Sequence, residues 1–153
     1  MVGSFVSIAL AVVTVSVVSW YDIRTTHVPT VLLACAVCSA FLVSSLTPHS
    51  IFSAALAALA GGGFFALQYV VSRGTWVGGA DIVMGIVMGL ILGWPLVLLA
   101  VCISYLLGGA VAIGLLSAKR ASWRSELPFI PLLSAGTVIT LLWGNYFLKL
   151  IGF

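Results

Sequence analysis

The sequence predicts an all-α polytopic membrane protein, a bundle of about six transmembrane helices, and three observations carry that prediction. Hydrophobic residues make up 63% of the 153 residues and charged residues only 6%, against about a quarter charged in an ordinary soluble domain. The apolar stretches are of the length that crosses a bilayer, which takes about 20 residues. The connectors between them are short and carry turn or charge signals. So few charges could not cover a water-soluble surface, and no stretch is long and polar enough for a second domain. Residues 1–153 therefore read as a single integral-membrane domain.

Six apolar segments follow one another, roughly 3–20, 29–46, 51–71, 80–93, 95–117 and 129–151. The first has no basic residue before it, so it reads as a permanent helix and not as a cleaved secretory signal. The connector Tyr21 to Val28 separates it from the second, which opens at Pro29 and contains Cys35 and Cys38. No second cysteine pair completes a tetrahedral zinc site, so small apolar packing is the expected role of the pair. After Thr47-Pro48-His49-Ser50, the third segment carries Gly61-Gly62-Gly63, a place for close helix approach or a bend.

The fourth segment is short. Its 14 residues from Ala80 to Gly93 rise roughly 21 Å at 1.5 Å per residue, less than the hydrocarbon thickness of about 30 Å. If Trp94 marks one interface, Asp81 lies below the other, and the Gly-rich connector Ser72 to Gly79 dips into the membrane. Irregular backbone at that depth must be covered by protein or line a water-filled cavity, so a wet pocket is expected there. Gly85, Gly89 and Gly93 recur every four residues, a face for close packing. Trp94-Pro95 leads into the fifth segment, and Ala118 to Pro128 forms the one polar loop of any length before the sixth.

Charge sets the expected orientation. Arg24, Arg73, Lys119, Arg120 and Arg124 all follow odd-numbered segments, whereas Lys149 alone belongs to the opposite side. The positive-inside rule then puts the basic connectors in the cytoplasm and both termini outside. Trp20, Tyr21, Trp76 and Trp123 fit one interfacial belt and Trp94, Trp143 and Tyr146 the other. The basic residues of the fifth connector suit anionic lipid head groups, with Glu126 available to pair with one of them. His27 and His49 read as loop residues. No His, Asp or Glu cluster has metal-ligand spacing, and neither a cofactor nor a nucleic-acid partner is expected.

The chain has only three acidic residues, Asp22, Asp81 and Glu126. An ionisable group near a bilayer is costly and tends to have a partner or a function. Asp22 closes the first segment and Asp81 begins the fourth, so both fall on the same side. Two close aspartates do not both ionise easily and titrate as a unit. The charged member can take a proton from water while the neutral one donates to a carbonyl, with no metal and no covalent intermediate. The plainer alternatives are an ion pair of Asp22 with Arg24 or Arg73, and a helix-capping role for Asp81.

Gly78-Gly79-Ala80-Asp81 resembles the G-x-G-D motif of intramembrane aspartic peptidases. Asp22-Ile23-Arg24-Thr25-Thr26-His27-Val28-Pro29 resembles the first motif of type IV prepilin peptidases, in which an aspartate is followed after a short spacer by an aliphatic residue and proline. Leu127-Pro128-Phe129-Ile130-Pro131, with Gly136 beyond it, resembles a third, P-F-x-P segment of that family. The three occur in the family's order. The resemblance implies that Asp22 and Asp81 form the catalytic pair, that Gly78, Gly79, Ala80, Pro29, Pro128, Phe129 and Pro131 shape the site, and that the substrates are prepilin-like proteins with a basic leader. The chain departs from the pattern at Ala80, where glycine is usual, at Val83, where lysine is frequent, and at Thr30, where asparagine or aspartate is common. These departures bear on substrate preference more than on mechanism. Larger bacterial members carry an insert with two C-x-x-C pairs and a methyltransferase activity. The chain has neither, so peptidase activity without N-methylation is expected.

Two other readings remain at this point. Asp22 and Asp81 could bind a cation or relay protons in a small transporter, which gives Val28-Pro29 and P-F-x-P no particular purpose. The Tyr21-Asp22 and G-x-G-D-like segments are also similar to presenilin and signal peptide peptidase, but those chains are larger and carry a P-A-L segment absent here.

Overall fold

The computed structural model describes residues 2–25, 28–47, 49–118 and 128–152, and these form six helices. They are α1 (Val2–Thr25), α2 (Thr30–Leu46), α3 (Ile51–Ser72), α4 (Gly79–Leu92), α5 (Leu96–Ser117) and α6 (Ile130–Ile151). Four of them, α1, α3, α5 and α6, are long and apolar enough to cross a membrane, whereas α2 and α4 are shorter apolar helices. The expected His27, Lys119, Arg120, Trp123, Arg124 and Glu126 positions lie outside the described residues.

The first boundary differs from the sequence expectation. Helix α1 runs through Tyr21 and Asp22 to Thr25, so Asp22 stands within the helix and not at its end. No glycine or proline interrupts this stretch, and the Thr25 hydroxyl donates back to the Tyr21 carbonyl at 2.8 Å. Val28 is outside any helix, as the residue preceding a proline is pushed out of the helical region. Pro29 then precedes α2, and its carbonyl accepts from Leu32 and Leu33 at 3.0 and 3.2 Å. Ser50 caps α3 by accepting the Ser53 N–H at 3.1 Å. At the far end of α3 the chain reverses through Arg73 (φ 52°) and Gly74 (φ 76°), with the Gly74 N–H reaching the Tyr69 carbonyl at 2.8 Å. That left-handed closure satisfies carbonyls that the helix end leaves open.

Helix α4 is the central element, packed against α2, α3, α5 and α6. Met84, Val87, Met88 and Ile91 are all but completely buried. Its tightest neighbour is α3, which lies antiparallel: Gly85 backs onto Gly61 and Phe65, and Gly89 onto Ala57 and Ala58. Gly62 meets Ile86 in the same seam, while Gly63 faces open space. Gly93, expected on that face, lies outside the helix as its C-cap with φ 71°. Between lipid-exposed helices such close approach of small residues gains dispersion contacts that larger side chains would block. Hydroxyls add ties across the bundle, Thr14 to Ser39 at 3.0 Å between α1 and α2, and Ser134 to the Val15 carbonyl at 3.1 Å between α6 and α1.

The outward surface is apolar. Cys35, Cys38 and Cys102 are exposed there, which corrects the packing role expected of the C-x-x-C. Trp20 and Trp76 are exposed at the end of the bundle that carries Arg24 and Arg73, and Trp94, Trp143 and Tyr146 at the other. Arg24 stacks on Trp20, 4.6 Å from the ring centroid, rather than standing free to pair.

His49 does more at the second end than a loop residue need do. Its Nε2 lies 3.4 Å from Ser44 Oγ and 3.3 Å from Thr47 Oγ1, and its ring packs beneath Gly93, where an added Cβ would come within 3.2 Å of it. Burial pushes its pKa below the ordinary 6.5, with a hydrogen bond to the Leu90 backbone pulling the other way. The unfolded chain therefore binds a proton at pH values where the folded chain does not. Its contribution to stability is present above about 6.5 and is lost as the pH falls below it. Thermal unfolding of the detergent-solubilised protein should show the midpoint dropping between about pH 7 and 5, with a shallower slope in His49→Asn.

Candidate active site

Asp22 and Asp81 meet at one end of the bundle. Both are buried, each 7% exposed, and they come close enough for the charge of Asp22 to act on Asp81. Each is held by the backbone at the start of a helix. Asp81 is the third residue of α4. Its Oδ2 accepts the Gly78 N–H at 2.8 Å, while its own N–H donates to the Gly78 carbonyl at 3.1 Å. The Asp22 carboxyl takes a hydrogen bond from the Ile130 N–H, at the first residue of α6. Helix N-termini present unpaired N–H groups and a positive dipole end, which suits a carboxylate. The second Asp22 oxygen, Oδ2, is buried without a hydrogen-bond partner.

The site is recessed. In the antiparallel register set by Gly85 against Gly61 and Gly89 against Ala57 and Ala58, Asp81 comes level with about Phe65 of α3, and α3 continues seven residues further to Ser72, about 10 Å at 1.5 Å per residue. The short α4 thus begins well inside the end of its long neighbour α3, as its length implied. The expected wet pocket is narrower than the sequence suggested: Gly78 and Gly79 are exposed directly above Asp81, but the carboxyl groups themselves are largely enclosed. A groove of about 360 Å³ lies to one side between α1 and α6, lined by Val15, Ser19, Trp20, Ile23, Ser134 and Val138 among others. Ile23, at one end of that groove, is the chain neighbour of Asp22.

The remaining sequence-predicted residues divide. Gly78 is the N-cap of α4, and Gly79 opens the helix with nothing within 4 Å of a would-be Cβ. Ala80 lies in the helix, and Arg73 is the sole non-glycine residue with positive φ among the described residues. Alanine in place of glycine at position 80 therefore carries no conformational cost. Pro29 starts α2 at the same end of the bundle. Phe129 is the N-cap of α6, half-buried, immediately before the residue that holds Asp22. Pro128 is exposed in coil, but Pro131 is inside the first turn of α6. Among the described residues the expected non-helical approach to α6 comprises Pro128 and Phe129. Proline at the second helical position needs no hydrogen-bond partner, so it starts the helix instead of breaking it.

Sequence reasoning missed three contributors. The Ile130 N–H is a backbone group and leaves no mark in the sequence. Tyr105, on α5, lies near enough to Asp81 to feel its charge, and its hydroxyl donates to Gln68 Oε1 at 2.8 Å. Gln68 is the only glutamine in the chain and sits inside an apolar segment. That solitary polar group in a membrane helix was the signal available.

A recessed pair of carboxylates in a bundle of apolar helices defines a class, the multi-pass membrane proteins whose acidic residues serve chemistry or transport. Comparison with known proteins resolves the family. The sequence model of the type IV leader peptidase family matches residues 9–113, a stretch that includes both aspartates and ends before the Pro128–Pro131 segment. A curated relative, the prepilin leader peptidase/N-methyltransferase of Bacillus subtilis (strain 168), is 33% identical over 107 residues, 70% of this chain. The chain spans 42% of that relative's length. No solved structure matches. The chain belongs to the type IV leader peptidase family.

Proposed function

We infer that the chain is an aspartic endopeptidase that removes the basic leader from type IV prepilin-like precursors, with Asp22 and Asp81 as its catalytic pair. One observation carries this reading: the two acidic residues among the described positions, 59 apart in sequence (81 less 22), are buried together at the recessed end of the bundle and interact electrostatically. The comparisons support a peptidase of this family, and the aspartic chemistry is our assignment to these two side chains.

The pair shares one proton. The ionised member takes a proton from a water molecule as that water's oxygen attacks the scissile carbonyl carbon. The neutral member donates its proton to the carbonyl oxygen, giving a tetrahedral gem-diol. Collapse of the diol breaks the C–N bond: the leaving nitrogen receives a proton from the pair, and a diol hydroxyl returns one to it as the C=O re-forms, so the pair is back in its singly protonated starting state. The unpartnered Asp22 Oδ2 is the carboxylate atom available to such a water. The backbone N–H groups of Gly78 and Ile130 fix the two carboxyls without consuming that atom. The leader stays in water, the following apolar helix rests among the membrane helices, and the bond to be cut reaches the dyad at the boundary between them.

Arg24 and Arg73 at the Asp end, together with Lys119, Arg120 and Arg124 of the adjoining connector, assign that end to the cytoplasmic face of the cell membrane. These 153 residues act as one catalytic membrane domain. Purified protein incubated with a panel of peptides, each with a short basic leader, a glycine and an apolar segment, should yield one cut after the glycine, read by sequencing the products. No cleavage, with proton or cation flux in liposomes instead, would return the pair to ion transport.

A further inference from the structure

Four buried side-chain polar atoms among the described residues lack a hydrogen-bond partner: Ser19 Oγ, Asp22 Oδ2, Gln68 Nε2 and Thr140 Oγ1. Ser19 and Thr140 are helical hydroxyls, and a χ1 rotation brings such a group to the carbonyl one turn back. Asp22 Oδ2 is absorbed by the proposed mechanism. Gln68 Nε2 has no such account. Its partner atom Oε1 is occupied by the Tyr105 hydroxyl at 2.8 Å, which fixes the amide so that its two N–H donors point away from Tyr105. A buried amide donor left unmade is costly, and one retained in a structure calls for an explanation.

The surroundings specify that explanation. Tyr105 is wedged among three rings, with centroids 5.2 Å from Phe129, 5.9 Å from Phe64 and 6.4 Å from Phe65. Phe129 immediately precedes Ile130, whose N–H holds Asp22, and Tyr105 lies within electrostatic reach of Asp81. The Tyr105–Gln68 pair thus joins α5 to α3, with Tyr105 exposed within electrostatic reach of Asp81 and Gln68 half-buried with its Nε2 enclosed. A neutral, unpartnered N–H donor matches a peptide carbonyl oxygen. It does not match a cation, for which the oxygen end of the amide would face inward.

Resting on the leader-peptidase reading above, we propose that the Gln68 side-chain amide binds a main-chain carbonyl of the substrate near its cleavage point, and that Tyr105 is the positioning residue that aims it. The substrate segment at the site is therefore extended, with its carbonyls free, and not helical.

The test is steady-state cleavage of a peptide with a basic leader, a glycine and an apolar segment, beside its binding to catalytically inert Asp81→Asn protein followed by fluorescence anisotropy. Gln68→Met, equal in length but unable to donate, should raise KM about 10-fold, the weight of one hydrogen bond, with kcat little changed, the signature of lost uniform binding. The same substitution should weaken binding by a similar factor in the Asp81→Asn background. Tyr105→Phe should raise KM by less, and adding it to Gln68→Met should change nothing further, because Tyr105 acts through the amide. Parental KM and affinity in Gln68→Met, or additive effects in the double variant, would overturn the proposal. If Gln68→Met does not fold, an unchanged KM in Tyr105→Phe overturns it alone. Cleavage by Asp22→Asn or Asp81→Asn protein would instead remove the leader-peptidase reading itself, so the two failures are distinguishable.

Discussion

Asp22→Asn and Asp81→Asn are each expected to abolish leader cleavage while the protein still folds and inserts. Asparagine keeps the shape of the side chain and an oxygen acceptor, so the bonds from the Ile130 and Gly78 N–H groups can survive. It neither takes a proton from water nor donates a shared one. General acid–base participation is worth about 10²- to 10⁴-fold per group, and loss of one member of a unit disables both, so turnover should drop by at least roughly 10³-fold in either variant. The matching alanine variants separate the two functions of each carboxyl. Asp81→Ala also removes the acceptor for the Gly78 N–H and should cost about 1 kcal/mol of stability, as loss of a helix cap does. Quantified peptide cleavage, with thermal unfolding of the same samples, reads both effects. Substantial turnover in a well-folded Asn variant would mean that the chemistry lies elsewhere.

Gly89→Ala is expected to destabilise the bundle, and Gly63→Ala is not. A Cβ on Gly89 would overlap the Ala57 carbonyl carbon and oxygen and the Ala58 nitrogen, all of them α3 backbone. Main chain cannot rotate aside, so α3 and α4 must separate, and overpacking of this kind typically costs about 1–3 kcal/mol. At Gly63 an added Cβ meets nothing within 4 Å, and alanine is the better helix former by about 1 kcal/mol. Displacing α4 also moves Asp81 relative to α1 and α6, so Gly89→Ala should lose cleavage activity along with stability. Unfolding midpoints for the two variants in one detergent provide the comparison. Equal midpoints would deny that the α3–α4 seam holds the structure.

The helices themselves were legible because a lipid-facing helix needs little more than a long apolar run, and the six runs stand between turn signals such as Thr47–Ser50 and Trp94–Pro95. The end of α1 was less so. Tyr21, Asp22 and Arg24 look like a polar connector, yet backbone hydrogen bonding continues the helix through them to Thr25. Likewise Gly85 and Gly89 announced a close contact, but nothing in their spacing named α3 as the partner. The aspartates stood out by scarcity alone, whereas Tyr105 and Gln68 matter because α5 and α3 happen to bring them beside Asp81.

By itself the sequence determined a six-helix membrane bundle, its family through motifs around Asp22 and Asp81, and the shortness of α4 that sinks one carboxylate below the helix ends. Those properties are local: they depend on runs of apolar residues, on capping chemistry and on length. The tertiary structure alone decided that the Ile130 N–H would hold Asp22, that Gln68 would keep an unspent donor, and that both cysteines of the C-x-x-C would be exposed. Each of these depends on the rotation and register of one helix against another. Packing of small residues fixes that geometry to within a fraction of a turn, and hydrophobicity alone leaves it free.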